Sequence, residues 1–391
     1  MRRIDLKKVS VAHSNTIREI NRQIVLNYIR EKGPISRADI AKETDLERST
    51  VAHIVKELTD FNLIKGVLGE SSGGRRPALL TLRSARPVAI GVDLGTVKTT
   101  VGCCDLTGRI IDKEEFLTDR DESRTTDLII AAVRFLVKKH QGLIEGIGIS
   151  LPGLVVSEDQ HVLFSRHFIW RDPLVAERIH DSTSLPVMVE NAANATALAE
   201  LWFGRLDVRD FILVFIEDGI GTGIVFDGQI NRGSNGFAGG FGHMRIGTDA
   251  PTECAMGSRE CWEAFASERS ALSRFEKLAE RSVDEMIFGD LVGLAQNGDK
   301  NAIAALKETA RFIGLGMGNL IQGLSPEAIV VGGTLVNAWP LIADDIKAAA
   351  ASVICQGIHR TKIVPSSLGG QPGLLGAFSL VLADKFASIS F

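Results

Sequence analysis

One histidine and two cysteines lie close together in a glycine-rich stretch of the chain. His243 follows Gly-Gly-Phe-Gly at 239–242, and Cys254 and Cys261 come later, with six residues between them. Zinc takes thiolate and imidazole ligands, and a structural zinc site has four of them. The stretch therefore predicts three ligands of a zinc site, with no obvious fourth. A metal site that has lost a ligand, and an ordinary loop, are the alternatives.

The length and composition limit the class of protein. A chain of 391 residues predicts two to three domains. We find no apolar stretch that fits a secretory signal or a membrane span, so no membrane insertion is expected. The five cysteines are scattered and do not form a disulfide framework. These observations predict a cytoplasmic protein.

The net charge of −4 is divided unevenly along the chain. Residues 1–83 contain 16 Lys and Arg against 10 Asp and Glu, whereas the rest contains 28 against 38. A basic N-terminal segment on an acidic body indicates that the segment meets a polyanion. Chance variation in composition is the alternative.

Apolar periodicity in the basic segment predicts three helices. The first covers residues 15–31, the second begins after an N-cap at Ser36 and ends at Glu43, and the third is Arg48–Asp60. The tight turn between the second and third is typical of a helix-turn-helix motif, whose recognition helix enters the major groove of DNA. A small helical domain with a solvated polar face is the alternative.

Two strands, at 63–68 and Ala78–Leu82, flank a basic glycine-containing tip and predict the wing of a winged helix. Arginines at the tip are suited to phosphate or to the minor groove. We expect double-stranded operator DNA to be bound by Ser36, Arg37, Arg48, Ser49, Thr50, His53, Lys56, Arg75 and Arg76.

The acidic body has an α/β pattern that occurs twice. Each copy begins with a β-meander and continues with helices and further strands, and each has a glycine-rich turn after an early strand, such as 219–223. Glycine turns allow backbone N–H groups to approach phosphate oxygens. The repeated pattern predicts a two-lobed actin-like ATPase and sugar kinase (ribonuclease H-like) fold behind the winged helix-turn-helix domain.

Five motifs resemble those of the ROK family, which contains bacterial sugar kinases and sugar-responsive transcriptional repressors. The resemblance covers residues 88–391 and is carried by 151–154, 189–200, 219–223, 235–243 and 254–263. Within that family, an N-terminal winged helix is found in the repressor branch and not in the kinase branch. The resemblance therefore implies a repressor.

Three departures from the kinase pattern imply that the chain is not an enzyme and does not require ATP. Ala192 stands where the family has its catalytic Asp, and Thr96 replaces a glycine of the first phosphate loop. Gly240 replaces a sugar-binding Glu. An alanine cannot accept the proton of an attacking hydroxyl. A sugar kinase with a DNA-binding head is the alternative.

The resemblance also implies an effector site and a metal site. A sugar or sugar derivative is expected at Gly153, Asn191, His243 and Glu263, and a vestigial pocket that binds nothing is the alternative. The family's zinc ligands are a His and three Cys, and here they are His243, Cys254 and Cys261, with Met256 at the middle cysteine. Water, Glu253 or Glu260 is the candidate fourth ligand of zinc, or the position is empty.

Together these features predict a sugar-responsive repressor made of three units. They are a winged helix-turn-helix domain at 1–83, a first lobe at 88–190 to which the helix in 371–391 returns, and a second lobe at 191–370. The second lobe is expected to carry the zinc-knuckle-like segment and the surface that forms a homodimer or homotetramer, since recognition helices work in symmetric pairs. A repressor controlled by a protein partner instead of a sugar is a second alternative.

Overall fold

The structure is a computed structural model. It describes residues 14–68, 78–84, 86–119, 121–140, 144–156, 161–164, 175–283, 285–355 and 361–386. They form a small N-terminal head and a larger body built on two five-stranded sheets. No helix within these ranges is both long and apolar enough to cross a membrane.

The head contains three helices and a three-stranded sheet. Its elements are α1 (Ser14–Lys32), β1 (Ile35–Ser36), α2 (Arg37–Thr44), α3 (Arg48–Asp60), β2 (Ile64–Leu68) and β3 (Ala78–Leu82). Ser36 caps α2, because its hydroxyl accepts a hydrogen bond from the backbone N–H of Asp39 at 3.1 Å. One face of α3 is buried in the head core. The winged helix-turn-helix architecture predicted from the sequence is confirmed.

The first sheet of the body is a three-stranded meander extended by two parallel strands. Its region contains β4 (Ala89–Leu94), β5 (Lys98–Cys104), β6 (Ile110–Leu117), α4 (Glu122–Lys139), β7 (Gly146–Leu151), β8 (Leu154–Val156), β9 (His161–Phe164), α5 (Val175–Thr183), β10 (Val187–Asn191) and α6 (Ala192–Phe203). The strand order is β10-β7-β4-β5-β6, and β8 and β9 form a separate hairpin. Strand β7 is buried along its whole length, as expected for a strand with helices on both faces of its sheet.

The second sheet repeats the arrangement of the first. Its region contains β11 (Phe211–Ile216), β12 (Ile220–Phe226), β13 (Gln229–Ile230), α7 (Trp262–Ala266), α8 (Glu268–Ala279), α9 (Phe288–Gln296), α10 (Lys300–Leu324), β14 (Ala328–Gly332), α11 (Trp339–Val353), β15 (Lys362–Pro365) and α12 (Pro372–Phe386). The order β13-β12-β11-β14-β15 again joins an antiparallel meander to two parallel strands. The duplicated α/β body predicted from the sequence is confirmed.

Helix α12 packs against the first sheet, although it follows the second in sequence. Glycines on the sheet allow this close approach. A Cβ at Gly148 would lie 1.9 Å from the carbonyl oxygen of Ala377, and one at Gly91 would lie 2.7 Å from the ring of Phe378. Helix α12 also contacts α6, so α6 lies between α12 on one side and β12 on the other.

The prediction of a glycine-rich turn at 219–223 is wrong in most of its length, because Gly221 and Gly223 lie inside β12. These glycines make room for α6. A Cβ at Gly223 would lie 2.6 Å from the carbonyl oxygen of Ala193, and one at Gly221 would lie 2.9 Å from the Ala193 Cβ. Close packing of a helix on a strand, not a phosphate turn, accounts for these two residues.

Candidate functional site

The outer face of α3 presents polar and cationic side chains to solvent. Arg48, Ser49, His53 and Lys56 are exposed, as is Arg37 on α2, while Thr50 is half-buried. The opposite face of α3 is fixed in the core by Val51, Ile54, Val55 and Leu58. A helix with this division can lie in a major groove without disturbing its packing. Ser36 is half-buried, and its hydroxyl is already engaged by Asp39.

His53 is tied to its neighbours within the head. Its Nε2 lies 3.2 Å from the Glu57 carboxylate and 3.3 Å from the Arg18 guanidinium of α1. Arg18 also pairs with Glu57. The Nε2 atom of His53 therefore has to leave these contacts before that atom can reach a base edge. Arg75 and Arg76, which were expected at the tip of the wing, lie outside the described residues.

Two of the four predicted effector residues meet at the carboxyl end of the first sheet. The Asn191 side chain donates to the carbonyl oxygen of Gly153, and its Oδ1 accepts from the backbone N–H of Ala193 at 2.9 Å. Asn191 thereby caps α6, which begins at the next residue. Gly153 has a φ of 140°, a backbone conformation that favours glycine. The amide of Asn191 is thus held in one orientation at the start of α6.

An ion pair joins the two sheets next to Asn191. The Glu190 carboxylate on β10 accepts from Arg232 Nε, beyond β13, at 2.7 Å. The same carboxylate accepts from the side chain of Asn194 at 3.2 Å. Glu190 is nearly buried, so its charge is screened little by solvent. The sequence did not suggest Arg232, since no local motif surrounds it.

His243, Cys254 and Cys261 converge, as their spacing suggested. One ligand atom from each lies within 4.8 Å of the others. The two Sγ atoms are 3.3 Å apart, and the backbone N–H of Met256 donates to Cys254 Sγ at 3.4 Å. Thiolates bound to one tetrahedral zinc at about 2.3 Å lie roughly 3.8 Å apart, so small adjustments bring the set to zinc geometry.

The fourth ligand position of this cluster is not supplied by Met256, whose side chain is 65 % exposed. Of the two glutamates considered for it, Glu260 pairs with Arg245 at 3.0 Å, and Glu253 is exposed. Three protein donors with a fourth position open to water fit the coordination chemistry of zinc.

Glu263 is buried between β12 and the loop 254–261, which we call the cysteine loop. One carboxylate oxygen accepts from the backbone N–H of Ala255 at 2.6 Å, and the other accepts from that of Ile220 at 3.1 Å. Arg269 lies 3.8 Å away and also donates to the carbonyl oxygen of Asp218. Each carboxylate oxygen can accept a second hydrogen bond. Glu263 can therefore accept a hydrogen bond from a ligand while it keeps its bonds to the backbone of Ala255 and Ile220.

Four carboxyl groups approach one another where the two sheets face. Burial raises the pKa of Asp93 to about 6, with an opposing effect from Lys98. Burial, together with the charges of Asp93 and Asp218, raises the pKa of Glu217 to about 8. Burial raises the pKa of Glu268 to about 9, and the charges of Glu217 and Asp218 add to it. Glu217 and Glu268 are therefore largely protonated at neutral pH.

Hydrogen bonds connect this carboxyl cluster to both sheets. The Thr96 hydroxyl, between β4 and β5, donates to Asp218 at 3.2 Å, and Thr334, after β14, donates to Glu268. The sequence did not suggest this cluster, because Asp93, the pair Glu217 and Asp218, and Glu268 are far apart along the chain.

Family models match almost the whole chain. The ROK family model matches residues 89–384, and a winged helix-turn-helix DNA-binding model matches residues 18–65. The chain belongs to the ROK family. Full-length similarity to ROK regulators and partial similarity to ROK kinases are both present.

Three known proteins illustrate this division. The xylose repressor of Bacillus subtilis is 31 % identical over 386 residues, covering 97 % of this chain and 98 % of the repressor. The solved structure of a ROK transcriptional regulator, a homologue of the E. coli MLC protein, has a TM-score of 0.79 at 27 % identity and covers 95 % of this chain and 98 % of its own. A ROK glucokinase from Streptomyces griseus, solved with glucose and AMPPNP, has a TM-score of 0.69 at 31 % identity and covers 75 % of this chain and 98 % of its own.

Two of the residues at which the resemblance implies departures from the ROK kinase pattern are Ala192 and Gly240. Ala192 is the first residue of α6, directly after Asn191. A Cβ at Gly240 would meet no atom within 4 Å. Position 240 therefore has open space for a side chain among the described residues.

Proposed function

We propose that this ROK protein is a sugar-responsive transcriptional repressor that binds operator DNA through α3. The observation that carries the proposal is the joining of a winged helix-turn-helix head to a ROK body, matched end to end by the xylose repressor. In the head, α3 presents the exposed face required for groove binding. The proposed DNA contacts of the protein are Ser36, Arg37, Arg48, Ser49, Thr50, His53, Lys56, Arg75 and Arg76.

Operator binding and its response to sugar provide the test. DNA sites are first selected from a random duplex library with the full-length protein. The dissociation constant of a selected site is then measured at fixed salt, without sugar and with D-xylose, D-glucose or other aldoses. A sugar that binds the protein and weakens operator binding supports the proposal. If every sugar that binds leaves operator affinity unchanged, the proposal fails.

We propose that the effector binds next to Asn191, Gly153, His243 and Glu263. Asn191 is oriented by Gly153 and by the start of α6, and Glu263 is fixed by two backbone N–H groups. Fixed polar groups of this kind suit the adjacent hydroxyls of a sugar. The name of the Bacillus relative makes D-xylose the first probe.

We infer that the protein does not transfer phosphate from ATP. Ala192 has no group that can accept a proton from a sugar hydroxyl. ATP turnover measured with D-xylose and D-glucose tests this inference, and turnover that depends on either sugar would favour a kinase with a DNA-binding head.

We propose that His243, Cys254 and Cys261 bind one zinc ion with a water molecule as the fourth ligand. The convergence of the three side chains supports this, as does the N–H donated to Cys254 Sγ. A bound zinc would supply structural stability to the loop that reaches Glu263 through Ala255. Metal analysis of protein purified without chelator tests it.

We further propose a cytoplasmic homodimer or homotetramer. Each chain in it consists of three units, at 1–83, 88–190 with 371–391, and 191–370. The packing of α12 on the first sheet supports the second unit. A symmetric assembly places two recognition helices on a palindromic site. Sedimentation of the full-length protein, with and without operator DNA, tests the oligomeric state.

A further inference from the structure

An arginine of the DNA-binding head lies between two aromatic rings of the body. Arg30, in the last turns of α1, has its guanidinium carbon 4.4 Å from the ring centre of Trp202 and 5.1 Å from that of Phe386. Next to it, Asn27 donates to the carbonyl oxygen of Phe386 at 2.8 Å. Trp202 is on α6 and Phe386 ends α12. This head–body joint is therefore built from α1, α6 and α12.

The polar groups of the joint are incompletely satisfied. Arg30 Nη1 and Trp202 Nε1 are buried and have no hydrogen-bond acceptor among the described residues. Burial lowers the pKa of Arg30, although Glu31, at 2.8 Å, opposes this effect. A buried donor without an acceptor costs free energy. A movement of the head at this joint therefore breaks no hydrogen bond of Arg30 Nη1 or Trp202 Nε1 to the described residues.

Helix α6 connects this joint to the proposed effector site. Its N-cap is Asn191, and Trp202 is in its last turn. Twelve residues of α-helix span about 18 Å. A displacement of Asn191 by a ligand therefore acts directly on one end of a helix whose other end touches Arg30.

Close packing makes α6 move as a unit. Its Ala193, Ala195, Ala197 and Ala199 are buried, and a Cβ at Gly376 of α12 would lie 2.7 Å from the backbone of Ala195. Cores packed at this density transmit displacement and resist local deformation. Near its end, Glu200 accepts from the hydroxyls of Ser366 and Ser367 at 2.7 and 3.0 Å, which ties α6 to the second sheet.

We propose that Arg30 and Trp202 are positioning residues that couple the effector site to the DNA-binding head through α6. The proposal rests on the proposed sugar response and assigns it a route. Binding at Asn191 shifts α6, Trp202 moves against Arg30, and α1 carries the recognition helix out of register with the operator. Because coupling between two sites is reciprocal, operator DNA bound by the head must also change the start of α6.

The first test compares Arg30→Met and Trp202→Leu with Arg22→Met. Methionine keeps apolar contact with the rings and removes the charge. Arg22 is also on α1 but pairs with Glu19 of the same helix, so it is a matched control. In the wild type and the control we expect D-xylose to change operator affinity by about 5- to 150-fold, the usual range of coupling. In the two joint variants we expect D-xylose to change operator affinity by about 2-fold or less, which is a near-complete loss of coupling. Xylose affinity, measured by calorimetry, should be unchanged.

A second measurement does not require a sugar. Hydrogen exchange of the peptide covering 191–203 is followed in the wild type and in Arg30→Met, with and without selected operator DNA. We expect DNA to change exchange at the start of α6 in the wild type and not in the variant. Absence of this change in the wild type overturns the coupling proposal, as does a full xylose response in both joint variants. If the wild type binds no sugar but operator DNA changes hydrogen exchange at the start of α6, the coupling through the joint is supported and only the proposed sugar response is contradicted.

Discussion

Adjacent glycines at 239 and 240 are under different constraints. Gly239 has a φ of 99°, and a Cβ there would lie 2.2 Å from the carbonyl oxygen of Thr222, whereas Gly240 faces open space. We expect Gly240→Glu to fold like the wild type and to place a carboxylate where the resemblance to the ROK kinases implies one. A new charged hydrogen bond contributes on the order of 1–3 kcal/mol, so calorimetry should detect roughly 10-fold tighter binding of at least one aldose.

Gly239→Ala serves as the control for this substitution. It adds only one methyl group, but that group meets backbone in a left-handed conformation, so we expect a clear loss of thermal stability. Unchanged affinity of Gly240→Glu for every sugar that the wild type binds would place the effector away from His243.

Some site residues were predictable because their signals are local. The His243, Cys254 and Cys261 spacing indicated a cluster, and the structure brings the three together. Glu190 and Arg232 are 42 residues apart and meet only when the two sheets are assembled. Glu217 and Glu268 likewise approach each other only through tertiary packing. Neither pairing leaves a periodic or short-range signature.

At the level of elements, α3 gives a prediction about salt dependence. Lys56 is exposed on its outer face, and a lysine contact with phosphate releases about one counterion. We expect Lys56→Met to weaken binding to all DNA sequences alike and to reduce the slope of log affinity against log salt by about 1. Lys300→Met, an exposed change of equal charge at the start of α10, should leave the slope unaltered. Equal slopes for both variants would mean that Lys56 does not contact DNA.

The cysteine loop gives a second prediction at this scale. We expect Cys261→Ser to abolish bound zinc and to lower the melting temperature by about 3 °C or more. Cys355→Ser is a matched control, because Cys355 is exposed and lies outside the cluster. Metal content is measured by mass spectrometry on protein prepared without chelator. Wild-type protein that is folded but free of zinc would contradict the proposed metal site.

Helices and strands were predictable where the apolar period was clear. Arg48–Asp60 was placed with its observed bounds, since a core face and a polar face alternate along it. Gly221 and Gly223 were assigned to a turn, because glycine spacing alone does not distinguish a turn from a strand that a helix approaches closely. The partner of that strand, α6, begins about thirty residues earlier, beyond any local pattern.

At the scale of the whole molecule, the carboxyl cluster between the two sheets makes the free energy of unfolding depend on pH. An unfolded Glu has a pKa of about 4.3. In the folded protein, the pKa of Glu217 is about 8 and that of Glu268 is about 9. Between these values the folded state keeps protons that the unfolded state has lost. The contribution of these two groups to the free energy of unfolding therefore decreases as pH rises from about 4 through about 9.

Glu217→Gln tests this dependence, because an amide keeps the size of the side chain and does not ionise. We expect the variant to melt about 3 °C or more above the wild type at pH 8.5 and close to it at pH 5, where the wild-type carboxyl is protonated in the folded state. Glu276→Gln, an exposed change on α8, should not alter the pH profile. If Glu217→Gln lowers stability equally at both pH values, the carboxylate is paired with a cation in the folded protein. The two sheets would then be stabilised here by attraction between the Glu217 carboxylate and a cation, and not by protonation of Glu217.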